Sequence, residues 1–377
     1  MTPQQTLAYF RSRESQIVDL IRGIVDIESP SHDAAASTRV VDWVESQFKA
    51  TGADLSIERT RVEDGEHLII KAYPGEGLHT LLLGHTDTVH PIGTNRKNPT
   101  RIEDDKLYGC GIFDMKSGVI LMIETLRYFA ATNTQPSTPL TIVLSCDEEV
   151  GSFTGRPIIE EHARGAVRCL ICEPSSHGCV KTARKGTGMF TLRAHGVPAH
   201  AGLEPEKGAN AVAELARQVE SIHAVARPEI GTTVNVTVFR GGTTLNVIPD
   251  LAECEIDVRF SQADEAERVT SELRRLKTTD PRVSLELEGE INRPPMERSD
   301  AVAALFEKAR AAAASFDYDI GEIAVGGGSD GNFVAALGVP VLDGLGITGD
   351  GAHRMDEHIL ISDIAKRAAL VTLLLCQ

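Results

Sequence analysis

The sequence lacks the features of secreted, membrane-spanning and nucleic-acid-binding proteins. No apolar run approaches the length that crosses a bilayer, and residues 1–5 open without a basic region and apolar core, so we expect no signal peptide. No basic run offsets the formal net charge of -16, which argues against a general nucleic-acid binder. Internal repeats and low-complexity segments are also missing. We therefore expect a protein with neither a membrane nor a nucleic acid as partner.

Cysteine is scarce, and its pattern does not predict a disulfide framework. The chain has 7 cysteines, an odd number. Cys169 and Cys172 have the spacing of a redox motif, but they lie in a hydrophobic strand pattern that ends at Glu173. This context favours a buried, reduced pair. The expected location is the cytoplasm, where cysteines stay reduced.

The order of predicted elements indicates an α/β fold with an insertion. With 377 residues, 42% of them hydrophobic and 24% charged, the chain can form two domains with separate cores. Up to about residue 182 the pattern repeats a strand, an acidic strand end and a helix, which is typical of a mostly parallel sheet. Four strands and two helices follow, and the first pattern then resumes. We predict a metal-binding catalytic domain, 1–182 plus 294–377, and an inserted α+β domain of ferredoxin-like type, 183–293.

One stretch, residues 81–89, marks the expected active site. An apolar run ends abruptly in His85-Thr86-Asp87, as a buried parallel strand does where it reaches a ligand site at its carboxyl end. Residues two apart on extended backbone face the same way, so His85 and Asp87 can serve one site. An imidazole is a common metal ligand, and a nearby carboxylate can accept its other N–H.

Further metal-ligand candidates follow in four other segments. Taken singly, each acidic residue could be a helix cap or a solvated side chain. Five separate segments that each offer a ligand favour a metal centre instead, and mixed His and carboxylate ligands suit zinc, with cobalt or manganese as alternatives. The set is too large for one tetrahedral ion, whereas two ions about 3.5–4 Å apart, bridged by a carboxylate, would use it. The additional candidates are Asp114, Glu148, Glu149, Glu173 and His353.

The adjacent acids Glu148 and Glu149 predict a division of roles. Neighbours on an extended strand point in different directions. One carboxylate can therefore bind metal while the other acts as a general base beside the nucleophilic water. Hydrolysis of an acyl bond or a phosphate ester is the chemistry that such a paired-metal site offers.

The sequence resembles the M20 metallopeptidase family in the identity and order of its motifs. Within that family it looks most like the glutamate carboxypeptidase branch, on the phrases at residues 149–156 and 343–346. The motifs that carry the resemblance are His85-Thr86-Asp87, Gly109 to Lys116, Asp147 to Ser152, Glu173-Pro174, His200-Ala201-Gly202, Asn246 to Pro249, Asp257-Val258-Arg259, Gly326 to Asp330, and Gly351-Ala352-His353.

The resemblance implies a role for each candidate at the metal centre. His85 and Glu173 would bind one zinc ion, Glu149 and His353 the other, and Asp114 would bridge both. Asp87 would orient His85, and Glu148 would be the general base and proton shuttle. The insert would be a lid and dimerisation domain.

The resemblance also implies substrate-binding residues, for which plainer interpretations exist. His200 would reach the active site of the partner subunit and stabilise the oxyanion, with Asn246 near the same oxygen. Arg259 and Arg293 would hold the α-carboxylate of the substrate, and Lys181 a side-chain carboxylate. From spacing alone, His200 could open a turn and Arg259 could be an ordinary solvated strand residue.

The favoured function is that of a di-zinc exopeptidase. Such an enzyme would remove a C-terminal amino acid, with glutamate as the first candidate, from a small peptide or an N-acyl amino acid. An N-acyl amino acid deacylase or an aminopeptidase-like enzyme with the same metal centre is the alternative. A non-catalytic, metal-dependent binding protein is the alternative of a different class. The loop Gly109-Cys110-Gly111 followed by Asp114 does not complete a dinucleotide-binding fingerprint, so we reject that function.

Overall fold

The computed structural model describes residues 1–377 and contains both helices and strands throughout. The α-helices, α1 to α11 in chain order, are Pro3–Ser12, Glu14–Val25, Ala34–Lys49, Thr94–Lys97, Ser117–Thr132, Gly155–Ala163, Ala211–His223, Glu265–Arg274, Asp300–Ala314, Gly331–Ala336 and Ile361–Leu375. The strands, β1 to β18, are Leu55–Arg61, Glu66–Ala72, His79–His85, Arg101–Glu103, Lys106–Tyr108, Leu140–Ser145, Ala166–Ile171, Val180–Arg184, Gly186–His195, Ala199–His200, Thr233–Gly241, Val247–Ile248, Leu251–Phe260, Ser284–Arg293, Glu322–Val325, Val341–Leu342, Gly349–Asp350 and His358–Leu360.

The chain divides into two compact units. The first comprises Met1–Ala183, Arg298–Ala324 and Ser329–Gln377, and the second comprises Arg184–Glu297 and Val325–Gly328. The predicted insert, 183–293, covers most of the second unit but omits its short later segment. That segment joins the second unit through contacts such as those from the Arg184 guanidinium to the carbonyl oxygens of Gly327 and Gly328. Sequence periodicity carries no signal for such a contact.

The first unit is built around a six-stranded sheet in the order β1-β2-β6-β3-β7-β16. The four strands β6, β3, β7 and β16 run parallel, while β1 and β2 form an antiparallel edge. Strands β3 and β6 are almost wholly buried, which explains the apolar runs Leu81–Leu83 and Ile142–Leu144 at their centres. The α/β fold with a largely parallel sheet is thus confirmed. Strand β1, which was not predicted, lies at the edge of the sheet, and only Leu55 and Ile57 in it are apolar.

Helices cover this sheet and approach the strand ends closely. The first two helices, α1 and α2, are separated only by Arg13. Helix α5 is buried on most of its surface and begins directly after the loop that carries Asp114. A Cβ at Gly118 in its first turn would lie 2.0 Å from the carbonyl oxygen of Cys172, so only glycine allows this approach. The helix start is therefore held against the end of β7, next to Glu173.

The second unit has the predicted α+β organisation. Strands β9, β11, β13 and β14 form an antiparallel sheet in the order β11-β13-β9-β14. Helices α7 and α8 follow β9 and β13 in the chain, which gives the β-α-β-β-α-β order of a ferredoxin-like fold. The unit has its own apolar core, which includes Phe190, Leu215 and Ile256.

Two further observations concern the spaced cysteine pair and the helices. Cys169 and Cys172 are both buried, and neither forms a disulfide. No helix combines the length and the apolar character that crossing a membrane requires.

Candidate metal centre

His85 stands at the end of β3 with its side chain in a fixed orientation. The side chain is 1% exposed, and Nδ1 donates to the backbone oxygen of Asp87 at 3.0 Å. The carboxylate oxygen Oδ1 of Asp87 lies 3.4 Å from the same nitrogen. Because Nδ1 carries the hydrogen in this arrangement, Nε2 is the nitrogen that can face a metal ion.

The carboxylate of Asp114 lies between two imidazole rings. Its Oδ1 is 3.2 Å from Nε2 of His85, and its Oδ2 is 3.4 Å from Nε2 of His353. His353 comes from the C-terminal part of the chain, where it has a positive φ of 65°. The two oxygens of one carboxylate therefore face two ligands from distant segments, as a carboxylate that bridges two ions does.

One further carboxylate flanks each imidazole. Oε1 of Glu173 lies 3.4 Å from Nε2 of His85, and Oε2 of Glu149 lies 3.1 Å from Nε2 of His353. Ligand atoms of His85, Asp114 and Glu149 all lie within 4.8 Å of one another, so this group could hold a metal ion. The structure thus brings together the five residues for which the family resemblance implies metal binding.

Two observations test whether these side chains fit a metal ion. Oε1 of Glu149 is buried and has no hydrogen-bond partner, which is costly for a carboxylate oxygen unless a cation binds there. The surrounding carboxylates also stabilise positive charge. A hydrogen bond to Asp114, followed in size of effect by one to Glu149, raises the pKa of His353 to about 10. Burial lowers the pKa of His85, but hydrogen bonds to Asp114, Asp87 and Glu173 outweigh it and hold the pKa well above its ordinary value. A divalent cation would satisfy the same negative potential.

The pair Glu148 and Glu149 lies in a turn and not at the end of a strand. Strand β6 ends at Ser145, and residues 148–150 form a single 3₁₀ turn. The expectation that alternation along a strand separates the two side chains is therefore wrong, and the turn directs them instead. Asp87 holds this turn, because its carboxylate accepts the backbone N–H groups of Glu148 and Glu149 at 3.2 and 3.1 Å.

Asp87 therefore has a wider set of contacts than the sequence indicated. It is 4% exposed, and its Oδ2 also accepts a hydrogen bond from the hydroxyl of Ser31 at 2.7 Å. Burial alone raises the pKa of Asp87, but the contact with His85 and these donors together hold it below its ordinary value. No sequence signal linked Ser31 to Asp87.

The remaining predicted site residues do not all lie in the first unit. Lys181 does, on β8, where it is 8% exposed and its backbone N–H donates to the carbonyl oxygen of Asp343. His200, Asn246, Arg259 and Arg293 belong to the second unit.

Local contacts in the second unit match the plainer interpretations for two of these residues. Nδ1 of the exposed His200 accepts the N–H groups of Gly202 and Leu203 at 3.2 and 3.1 Å, so the ring does open a turn. Both hydrogen bonds use Nδ1 of His200, and neither uses Nε2. Arg259 is paired along its strand with Asp257 at 2.8 Å.

Asn246 and Arg293 differ in exposure. Asn246 is exposed, and its backbone oxygen accepts from Ala201. Arg293 ends β14, is 7% exposed, and donates from Nη1 to the side chain of Asn292 at 2.9 Å. A guanidinium that is already oriented in this way suits the binding of a planar carboxylate.

Comparisons with known proteins agree with the motifs at this centre. Carboxypeptidase G2 from Pseudomonas sp. is 29% identical over 358 residues, which cover 93% of this chain and 86% of the relative. A succinyl-diaminopimelate desuccinylase from Dinoroseobacter shibae is 30% identical over 326 residues, 78% of this chain and 81% of the relative.

A solved structure and a family model extend the comparison. The aminopeptidase PepT from Bacillus cereus superposes with a TM-score of 0.78 at 21% identity, over 96% of this chain and 98% of that one, which shows a shared fold. The sequence model described as "Peptidase family M20/M25/M40" matches residues 81–377. The chain belongs to this family of hydrolases.

Proposed function

We propose that this protein is a di-zinc exopeptidase that hydrolyses the amide bond before the C-terminal amino acid of a small peptide or an N-acyl amino acid. The observation that carries the proposal is the position of Asp114 between His85 and His353, at 3.2 and 3.4 Å. Glu173 and Glu149 lie on the outer sides of the two rings. His85 and Glu173 would hold one ion, Glu149 and His353 the other, and Asp114 both.

The chemistry of the proposed reaction divides between the ions and the chain. When bound, a pair of divalent ions supplies Lewis-acid polarisation and a lowered pKa for water. Glu148 would accept a proton from the nucleophilic water on a carboxylate oxygen and return it to the leaving amine nitrogen. Asp87 supports this role, because it fixes the backbone of the Glu148 turn and, at the same time, the ring of His85.

Residues of the second unit would bind the substrate. Nε2 of His200 would donate to the developing oxyanion, from the partner subunit of a homodimer formed through the insert, with Asn246 near the same oxygen. Arg293 would hold the α-carboxylate, as its burial and oriented guanidinium favour. Arg259 is a weaker candidate, since it would have to exchange Asp257 for the substrate. Lys181 would contact a side-chain carboxylate, while glutamate is the first candidate because residues 149–156 and 343–346 resemble the glutamate carboxypeptidase branch.

A second candidate function rests on the relatives. The Dinoroseobacter shibae relative is named for removing a succinyl group, so hydrolysis of an N-succinyl amine is the alternative reaction at the same centre. Both reactions cleave an amide and would use Glu148 in the same way. They differ in whether recognition acts on the amino-acid side or on the acyl side of the bond.

Amino-acid release by chelated and zinc-restored protein tests the proposal. The panel contains dipeptides and N-acyl amino acids that end in glutamate, in neutral residues and in basic residues, together with N-succinyl amines. We expect zinc-restored release with a preference for C-terminal glutamate. Preference for the N-succinyl compounds would replace the carboxypeptidase assignment by the desuccinylase one. No release from any compound, by protein that binds zinc, would favour a metal-dependent binding protein.

A further inference from the structure

The side chain of Glu357 is completely buried next to the candidate metal centre, although none of the proposed roles uses it. Its side-chain exposure is 0%, a rare state for a carboxylate without several hydrogen bonds. It lies four positions after His353, in a polar segment whose sequence gives no reason to expect burial. Most buried polar groups of this kind are hydrogen-bonded, so its partners are of interest.

Four donors surround the carboxylate, two on each oxygen. Oε2 accepts the backbone N–H of Gly111 at 2.7 Å and Nε2–H of His90 at 3.0 Å. Oε1 accepts the backbone N–H groups of Phe113 and Asp114 at 2.8 and 3.0 Å. An ionised carboxylate has about four lone-pair sites, so the set of acceptors is filled.

Three of these donors belong to the loop that carries Asp114. The N–H groups of Gly111, Phe113 and Asp114 converge on one carboxylate, which fixes the backbone from Gly111, with its φ of 69°, to Asp114 itself. The direction of the Asp114 side chain depends on this backbone. Its two oxygens must face His85 and His353 at once, so a small rotation of the loop would break one of the two contacts.

Glu357 also connects this loop to the segment that carries His353. Two consecutive turns link His353 to Glu357: the N–H of Arg354 donates to the oxygen of Gly351 at 2.8 Å, and the N–H of Glu357 donates to the oxygen of Arg354 at 3.3 Å. The backbone oxygen of Glu357 accepts the N–H of Gly109 at 3.1 Å, directly beyond the pairing of β18 with β5. The residue thus holds together the two segments whose side chains, Asp114 and His353, meet at the centre.

We propose that Glu357 is a positioning residue that sets the Asp114 carboxylate between the two histidines, and with it the affinity of the centre for metal. The proposal rests on the proposed function for the metal, while the hold on the loop is a property of the chain alone. Outer-shell partners of metal ligands change metal affinity by roughly 10–100-fold when they are substituted. Glu357 would act through Asp114 and touch neither metal nor substrate.

The variant Glu357→Gln tests this role with almost no change in volume. Its amide oxygen can accept only two of the four donors, and its NH₂ group would face N–H groups that need an acceptor. In the metal-free protein we expect the amides of Gly111, Phe113 and Asp114 to exchange hydrogen at least about 10-fold faster than in the wild type. Zinc affinity, measured by competition with a chelator, should fall by about 10–100-fold, and the absorption spectrum of the Co²⁺ form should change.

Glu124→Gln is the matched control, because it removes another fully buried carboxylate from the same unit. Glu124 is bound by Arg13 and Arg127 and makes no bond to the loop. This variant should lower thermal stability without changing loop exchange, zinc affinity or the Co²⁺ spectrum. Glu357→Asp, which withdraws the carboxylate by one methylene, gives a second variant if Glu357→Gln fails to fold, and it should show a smaller change of the same kind.

The outcomes separate the positioning role from the proposed function. Loop exchange and zinc affinity that stay at wild-type values in both Glu357 variants would overturn the proposal. A loss of thermal stability alone, as in the control, would also overturn it. If the wild-type protein binds no zinc, the proposed function fails, and with it the effect on metal affinity. Faster exchange of the three amides would then still show that Glu357 holds the loop.

Discussion

At the scale of single residues, the neighbouring acids Glu148 and Glu149 make different contacts from one turn. Glu149 faces His353 at 3.1 Å and leaves Oε1 buried without a partner, as a metal ligand would. Glu148 has its backbone fixed by Asp87 instead. The assignment of Glu148 as the base therefore makes a clear prediction.

Glu148→Gln should lower kcat by about 10²–10⁴-fold, because the amide cannot accept the proton from water. Bound zinc should stay at the wild-type level, since Glu148 is not one of the proposed ligands. Steady-state kinetics and metal analysis of the same preparation check this. Glu161→Gln, at an exposed position on α6, is the control and should leave both unchanged. Full turnover by the Glu148 variant would exclude the proposed mechanism.

Asp114 and His353 should differ in how much metal their loss removes. Asp114 faces both His85 and His353 and would bind both ions. His353 lies beside Asp114 and Glu149 and would bind only one ion. We expect Asp114→Ala to lower zinc content from about two ions per chain towards none, and His353→Ala to lower it to about one. Metal analysis after dialysis against a weak chelator measures both. Equal loss in the two variants would contradict a bridging role for Asp114.

At the scale of elements, Glu214 connects helix α7 to the segment before β14 in the second unit. Its buried carboxylate accepts the backbone N–H groups of Thr279 and Asp280 at 2.8 and 3.2 Å, and the amide of Gln218 at 2.9 Å. Burial on its own raises the pKa of Glu214, but these donors together hold it below its ordinary value. The ionised form is therefore favoured by folding.

The stabilisation by Glu214 should depend on pH. A depressed pKa in the folded state gives stability that is present above the unfolded pKa and is lost as pH falls through the folded value. We expect Glu214→Gln to destabilise the protein by about 1–3 kcal/mol at neutral pH, because buried donors lose an acceptor. The difference from the wild type should shrink below about pH 4. Urea unfolding at several pH values measures it, and a difference independent of pH would contradict this account.

At the scale of the whole molecule, the proposed action of His200 from the partner subunit can be tested by complementation. His200→Ala and Glu148→Gln should each be nearly inactive as homodimers. In a co-expressed mixture, one site of each hybrid dimer would combine an intact Glu148 with the His200 of the other subunit. We expect recovery of up to about a quarter of wild-type activity, since half of the dimers are hybrids with one complete site.

The control for this experiment is the oligomeric state of each variant. Analytical ultracentrifugation should give dimers for the wild type and for both variants. Dimers that recover no activity on mixing would show that His200 acts within its own chain or has only the structural role seen in its turn. Monomers would contradict the proposed dimer through the insert.

The sequence by itself determined the composition of the site and the class of the fold. The apolar run before His85 could be read as a buried strand because burial on both faces requires apolar residues throughout. The predicted strand ends nominated Glu149 and Glu173, the loop after Gly111 nominated Asp114, and the C-terminal segment nominated His353. The two-helix, four-strand pattern of residues 183–293 likewise predicted an antiparallel unit, since periodicities of 2 and 3.6 are local properties of the chain.

Only the tertiary structure decided how distant residues meet. The Asp114 carboxylate contacts both His85 and His353 only because three separate segments of the chain pack together. No local sequence pattern predicts three further features of the site. They are the turn at Glu148, the hydrogen bond from Ser31 to Asp87 and the four donors around Glu357. A polar residue near a site and a solvated one have the same sequence signature. Burial and the donors supplied by other segments distinguish them, and both arise only when the chain has folded.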